Sequence, residues 1–557
     1  MGRETNIHSI RALEKQIVEG KGDVIKLKRA RNSLLNISTR VPPEVLGYIF
    51  AWSLAREAGH SLYSASHFDG LQKGSYNFLL VCHHWFEVAS RTPELWSFWG
   101  NTLQDWKKRC TRSGTAPLDL VLDGDACDPD ESLDGSLWGA IKNRVMKDTI
   151  GQVHLTSHDG DILTSIISPL TPDGEGGQNE NIESIILRNG GTPVDVSKFF
   201  ARSRLSKLRM LDLSGNFQIS SWDYLTSRTT LLTTLSLEIG EFSPSISPTT
   251  PQLFSILTSN PNLRQLILSD VALPYDDGST FQVSLRNLNI LSLTGDFHRL
   301  FALLRRLILP ESLDSIFITG FDCTTEDISQ TLMPYMRTYF QRDARFQDRL
   351  GICSFSSPGS ISISVNAVCT HAIALVPKPP FVSFTVVLAD IPPDPPEQLF
   401  IDLAALIPQE RVVSFNANAA LHMKPPEEVF FMMPNIETLY LSDVEVSKGF
   451  LQPNPDGPHA NMKLLPSLRS LRLEDVTLDD DDGNDDDWGY LTAYLAHQTS
   501  DNQIISLEVL GDLPHMPPGV VDKIRGLVKE FTYEPKPEAE GKESSCSCSC
   551  SIHEGFE

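Results

Sequence analysis

The sequence has no run of 18 consecutive apolar residues, so nothing in it reads as a transmembrane helix and no membrane partner is expected. Its start, Met-Gly-Arg-Glu-Thr-Asn, lacks the apolar core of a secretory signal and the Ser or Thr of a myristoylation site. Nine cysteines are either scattered or crowded at Cys546, Cys548 and Cys550. An odd number without a signal suits reduced thiols, so a cytoplasmic or nuclear location is expected. The phosphate-cradling Gly-x-x-x-x-Gly-Lys-Ser/Thr, the Gly-x-Ser-x-Gly elbow and the His-Glu-x-x-His zinc helix are all missing. No catalytic residue, metal ligand or cofactor is therefore assigned, and the chain reads as a non-enzyme. His83 and His84 beside Cys82 would diverge by about 100° around a helix and not converge on one ion.

Positive charge is scarce as well. The net charge of −24 excludes nonspecific nucleic-acid binding, because phosphate neutralisation supplies most of that affinity. Residues 1–38 run against this balance, with eight Lys or Arg against four Asp or Glu. An acidic remainder either favours basic partners or does no more than keep a large chain soluble. Its densest part, Asp479 to Asp487, resembles a calcium loop only loosely, since the twelfth position from Asp479 is Tyr490 and not Glu. Like-charge repulsion makes it a solvated loop. Cys546-Ser-Cys-Ser-Cys550 is likewise read as part of a polar tail, with soft-metal binding or acylation as alternatives.

At 557 residues, with 41% hydrophobic side chains, the chain exceeds one compact core. Ile7, Ile10, Leu13 and Ile17 share a helical face, so residues 1–38 read as a helix or short coiled coil. Lys26 to Arg31 is a basic helix face, with nuclear import as the rival reading. Arg40-Val-Pro-Pro-Glu-Val-Leu-Gly-Tyr-Ile-Phe50 then carries the first strong signal. Pro42 and Pro43 suit a first helical turn, Glu44 complements the dipole there, and Val45, Leu46, Ile49 and Phe50 form an apolar stripe. Val81, Cys82, Trp85, Phe86 and Ala89 repeat the pattern, and Pro93-Glu-Leu-Trp96 stops the second helix. So short a module cannot enclose all these side chains, and some should face a partner.

This pattern resembles the F-box, the helical module by which substrate receptors dock onto the Skp-family adaptor of Skp–cullin–F-box ubiquitin ligases. The family's Leu-Pro-x-Glu-x-Leu-x-x-Ile-Phe is matched by Val41, Pro42, Glu44, Leu46, Ile49 and Phe50, with Val in place of the first Leu. Its Val-Cys-x-x-Trp is matched by Val81, Cys82 and Trp85, and its Pro-x-Leu-Trp by Pro93, Leu95 and Trp96. The resemblance implies adaptor contacts from Val41, Pro42, Glu44, Leu46, Ile49, Phe50, Val81, Cys82, Trp85 and Trp96. It places the module at 39–112, with an insert at about 59–76 of a kind that fungal F-box proteins often carry.

From residue 113 to 532 the dominant signal is a repeat. Apolar residues recur at i, i+3 and i+5, as in Leu208/Leu211/Leu213, Leu232/Leu235/Leu237 and Leu263/Leu266/Leu268, and again from Ile436 to Val509. Consecutive triplets lie 24 to 36 residues apart. Each reads as a short strand that buries its apolar side only when stacked on a neighbour. The spacing resembles the leucine-rich repeat, and Leu208-Arg-Met-Leu-Asp-Leu-Ser-Gly-Asn216 matches it fully. Elsewhere the ninth position holds residues such as Val271, Asp296 or Val476, so an irregular solenoid is expected. Between Cys323 and Met433 the repeat blurs. Glu326–Asp343 reads as helix, and Ser360–Val365 and Phe381–Leu388 read as strands. Continuity of the array is expected there, with an inserted hairpin as the alternative. Residues 533–557 read as a disordered tail.

The fold class is thus α/β, a helical F-box module followed by an irregular leucine-rich-repeat solenoid. The function implied is that of a non-catalytic substrate receptor, with the adaptor and through it a cullin at one end and an unidentified target protein at the other. A scaffold that binds partners without promoting ubiquitination is the alternative.

Overall fold

The computed structural model describes residues 41–50, 81–99, 111–126, 150–171, 180–238, 247–271, 281–310, 313–342, 350–357, 360–367, 383–389, 396–419, 427–442, 445–447, 465–479, 487–498, 504–511 and 516–535, with short helical pieces within 12–30. The insert at 59–76, most of the Asp479–Asp487 run, the Cys546–Cys550 cluster and most of the first 38 residues lie outside the described residues. The chain divides into two compact units, Met1–Gly295 with Ala302–Leu313, and Asp296–Phe301 with Asp314–Glu557.

Unit 1 holds a parallel sheet of β1 (Phe98–Trp99), β2 (Leu118–Asp123), β3 (Ile150–Ser157), β4 (Ser184–Asp195), β5 (Met210–Gln218), β6 (Thr234–Glu238), β7 (Gln265–Ser269) and β9 (Ile290–Asp296), paired in that order. A short parallel pair, β8 (Val283–Ser284) and β10 (Leu307–Ile308), stands apart from it. The register stacks the repeat leucines. Ile185, Leu211, Leu235, Leu266 and Leu291 form one row, and Leu187, Leu213, Leu237, Leu268 and Leu293 the next. All of these are buried, because period-two alternation sends them to one face. Each strand is entered by the same hydrogen bond: Arg209 N–H donates to Glu183 O, Thr233 to Arg209, Arg264 to Thr233 and Asn289 to Arg264, at 2.7–2.8 Å.

Helices in the return segments cover the apolar face. In α2 (Gly160–Leu170, following α1 at His83–Ser90), Leu163, Ile166, Ile167 and Leu170 recur at helical spacing and are buried. The Asp159 side chain caps it by accepting from Asp161 and Ile162 N–H. Two shorter helices, α3 (Ser197–Arg202) and α4 (Asp223–Arg228), follow. Next comes α5 (Thr250–Ser259), which opens with a Thr249/Gln252 capping box and ends at Asn260. Asn260 accepts from Leu232 N–H at 3.1 Å and donates to Ile256 O at 2.8 Å, joining one repeat to the next.

At Asn216, the ninth position of the full match, side-chain amides tie one turn to the next. Asn216 donates to Gly191 O at 2.8 Å, and Asn189 donates to Asn216 O at 2.6 Å. Several turns share a backbone feature, with or without that Asn. The residue two places after the last inward apolar position takes positive φ at Gly215, Asp270, Gly295, Asp475 and Gly511. From that conformation Asp270 N–H reaches Thr294 O at 2.9 Å and Asp475 N–H reaches Leu510 O at 3.1 Å. At Gly215 a Cβ would lie 1.8 Å from Asn189 O, so only glycine permits the approach.

Unit 2 holds β11 (Ser315–Phe321), β12 (Leu350–Ser357), β13 (Ser360–Ala367), β14 (Ser383–Ala389), β15 (Val412–Ala419), β16 (Thr438–Ser442), β18 (Ser470–Glu474), β20 (Ser506–Gly511) and β21 (Glu530–Pro535) in one sheet, with a separate pair β17 (Glu445–Ser447) and β19 (Thr477–Asp479). The spatial order is β11-β14-β13-β12-β15-β16-β18-β20-β21. Here the expected continuity is corrected. β13 runs antiparallel between β12 and β14, so a hairpin is inserted into an otherwise parallel array. Ser357 pairs with Ser360, leaving only Pro358 and Gly359 between the strands. Two residues can join antiparallel neighbours but not parallel ones, which need a long crossover. Ile363 and Val365 still face the core, as their alternation requires.

The helix expected at Glu326–Asp343 begins at Thr325, and the hydroxyl of the preceding Thr324 caps Asp327 N–H. It passes through a wide turn at Ile328–Leu332 into α6 (Met333–Arg342), where Pro334 removes one ladder donor. The last strand runs to Pro535, so its final three residues fall within the span assigned to the tail. Among the described residues no helix is long and apolar enough to cross a membrane.

Candidate functional site

Helix 43–50 starts as its prolines require, with Leu46 N–H donating to Pro42 O at 3.0 Å. α1 follows Cys82, whose carbonyl accepts from Phe86 N–H at 3.0 Å. The 3-10 turn Pro93–Trp96 then leads into β1, where Asp119 N–H donates to Ser97 O. The first strand of the unit 1 sheet therefore lies inside the span assigned to the helical module.

Leu46, Phe50, Val88, Ala89, Leu95 and Trp96 form one buried cluster, with Val41 and Trp85 packed against it. The Phe50 and Trp85 rings lie 5.0 Å apart, and Trp96 Nε1–H donates to Ala89 O at 2.8 Å. Arg112 stacks on the outer side of Trp96 at 4.3 Å. Gly47 is the point of closest approach, since a Cβ there would meet Thr92 Oγ1 at 2.7 Å.

The neighbouring stripe of the same helix faces solvent. Val45 is 48% exposed, Tyr48 72% and Ile49 48%, at i, i+3 and i+4; Val81 at 56% and Phe86 at 43% are exposed as well. Such exposure of large apolar groups is unusual for a surface that stays wet. Of the residues assigned from sequence, Leu46, Phe50 and Trp96 are interior, and Val41, Cys82 and Trp85 are half-buried. Pro42, Glu44, Ile49 and Val81 are exposed. Tyr48 was not among them, and its signal is its place three after Val45 on the same helical face.

Other groups are placed less suggestively. Ser157 and His158 both address Asp125: Ser157 Oγ–H donates to its Oδ1 at 3.1 Å, and His158 Nε2 lies 3.6 Å from its Oδ2. The serine and imidazole thus share a carboxylate and do not form a nucleophile–base pair. His83 pairs with Glu87 at 3.6 Å, an exposed i, i+4 contact. Among the described residues no group of three His, Cys, Asp or Glu is placed to hold a metal ion. Two titratable side chains in the unit 1 sheet are perturbed. Burial, aided by nearby Glu183, pushes the Asp119 carboxyl up to about 7. Burial, aided by Arg188, pushes the His154 imidazole down to about 4.

No protein-family model matches the chain, and no curated protein matches it. Among solved structures it is similar to a plant peptide hormone receptor, RGFR1, in complex with RGF2, at 10% identity and a TM-score of 0.24. That alignment covers 75% of this chain and 62% of the receptor chain.

Proposed function

We propose that this protein is a non-catalytic substrate receptor of a Skp–cullin–F-box ubiquitin ligase. Residues 41–96 would dock the Skp-family adaptor, and the stacked repeats would hold a target protein. The observation that carries this reading is the outer stripe of Val45, Tyr48 and Ile49 with Val81 and Phe86, left exposed beside a buried cluster. Burying a large apolar side chain contributes roughly 1.5–3 kcal/mol, so a few such anchors dominate an interface. Leu46, Phe50 and Trp96 would then hold the two helices in register, and the contact itself would fall to Ile49, Val81 and their exposed neighbours. Catalysis would belong to the enzyme recruited through the cullin. The receptor's contribution is proximity, which raises the local concentration of target lysines. Full-length protein incubated with purified adaptor and cullin, then assayed for ubiquitin transfer to captured partners, tests this. Adaptor binding without transfer to any captured partner would favour a scaffold instead.

A further inference from the structure

β21 is the last strand of the unit 2 sheet and, among the described residues, pairs only with β20. Its inner-face residues show the far side to be open. Phe531 and Tyr533 are only half-buried, whereas Leu507 and Val509, their partners on β20, are fully buried. The two rings stack in parallel, 6.5 Å apart at 3°. Glu530 N–H donates to Ile505 O at 2.8 Å, so by the alternation of a parallel ladder the Phe531 and Tyr533 amides point toward the open edge. Pro535 falls in the same phase and, lacking an N–H, ends that row. Such an edge is a template for a further strand.

Charge decides what fits there. On the outer face β21 presents Glu530, Thr532 and Glu534, all exposed, and Glu508 of β20 stands beside Thr532. Arg472 of β18 is engaged by Glu474 at 2.8 Å and by Glu508 at 3.6 Å. Glu474, Glu508, Glu530 and Glu534 outnumber Arg472 and Lys529 at this end of the sheet. A second copy is disfavoured, because two β21 strands paired about Thr532 would set Glu530 opposite Glu534 at both ends. The chain's own residues 536–557 carry five Glu against two Lys and suit the edge no better.

We propose that β21 is the docking edge for an extended basic segment of a partner protein, which adds to the sheet as one more strand. Main-chain hydrogen bonds join it to Phe531 and Tyr533, and its apolar side chains cover their rings. The alternate side chains, Lys or Arg, stand opposite Glu530 and Glu534, about 4.5–5.5 Å away between Cβ atoms. The matching segment therefore alternates, with basic residues four apart and apolar residues between them. This gives the target end of the proposed receptor a chemistry but stands on β21 alone, so adaptor binding succeeds or fails independently of it.

Fluorescence anisotropy of the full chain with a labelled peptide, Gly-Lys-Ile-Thr-Val-Lys-Gly, tests the proposal. One comparison peptide has Glu for both Lys, and another has the same residues reordered as Gly-Lys-Lys-Ile-Val-Thr-Gly. Two more are N-methylated, one on each alternate set of amides. The first peptide is expected to bind more tightly than about 0.5 mM, and the acidic and reordered ones about tenfold more weakly. One N-methylated set should lose binding and the other retain it. Glu530→Lys with Glu534→Lys, both exposed, should melt as the wild type does and weaken binding about tenfold. No binding at about 0.5 mM, equal binding of the acidic or reordered peptide, equal effects of the two N-methylated sets, or unchanged affinity in the double variant would overturn it. Protection of residues 530–535 from hydrogen exchange in the peptide-free chain would also overturn it. Protection that rises with protein concentration would assign the edge to a second copy, and constant protection would assign it to the chain itself.

Discussion

Replacing Ile49 by Arg separates docking from folding. Ile49 is 48% exposed and belongs to the outer stripe, so the free protein should tolerate the change within about 0.5 kcal/mol. In a complex the same position would be covered. Losing burial of the remaining half of the side chain costs about 1 kcal/mol. Forcing an unpaired guanidinium into an apolar contact adds several kcal/mol, even after partial escape to the rim. The sum is at least about 3 kcal/mol, which is more than about a hundredfold in affinity. Phe50→Ala is the contrasting perturbation. Phe50 is buried against Trp85, and its truncation should cost about 3–5 kcal/mol of stability. Biolayer interferometry against a purified Skp-family adaptor, alongside thermal melts, reads both. Ile49→Arg should lose binding with an unchanged melt, and Phe50→Ala should lower both. If Ile49→Arg binds within threefold of wild type, or melts as early as Phe50→Ala, the division into outer and inner stripes is wrong.

Gly215→Ala should destabilise the protein by about 2–3 kcal/mol in urea, because φ is +97° and the added Cβ meets Asn189 O. Gly114→Ala, with φ +54° but open space around it, should cost only about 1 kcal/mol; equal losses would mean that the close approach at Gly215 contributes nothing. Two buried groups also make stability depend on pH, in opposite directions that largely cancel between about pH 4 and 6.5. The Asp119 carboxyl is raised from 3.8 to about 7, so its contribution is intact below pH 3.8 and declines as pH rises to 7. Asp119→Asn should therefore stabilise at pH 8, by on the order of 3 kcal/mol, and do little at pH 4. The His154 imidazole is lowered from 6.5 to about 4, so its contribution is intact above pH 6.5 and is lost as pH falls through 4. His154→Gln leaves the Asp119 contribution unopposed, so its stability should rise as pH falls from 6.5 to 4, and unchanged pH profiles in both variants would show that neither group is perturbed in solution.

Much of the fold is visible in the residue pattern because burial is periodic. The triplets from Ile182 to Val509 are buried to the last position, since each occupies a strand face that has no alternative environment. The turn chemistry was legible but easily missed. Attention to the ninth-position Asn obscures the Gly or Asp placed two residues after the last inward apolar position at Gly215, Asp270, Gly295, Asp475 and Gly511, where φ is positive. The direction of the inserted β13 is hidden for a similar reason. Alternation in Ser360–Val365 reveals a strand but not its direction, and direction was set by the two residues Pro358-Gly359. In the helical module, sequence spacing could not separate Ile49 from Phe50, because both lie on one broad apolar arc. Separation depends on Gly47, which lets the helix press onto Thr92 and so decides which edge of that arc is inside.

Size-exclusion chromatography with light scattering, on an equimolar mixture of the full chain, a Skp-family adaptor and a cullin, addresses the central claim most directly. A single peak with the mass of a one-to-one-to-one complex, lost on Ile49→Arg while the variant stays folded, is the expected result. Separate elution of the wild-type chain from the adaptor would contradict the assignment of residues 41–96 as a docking module.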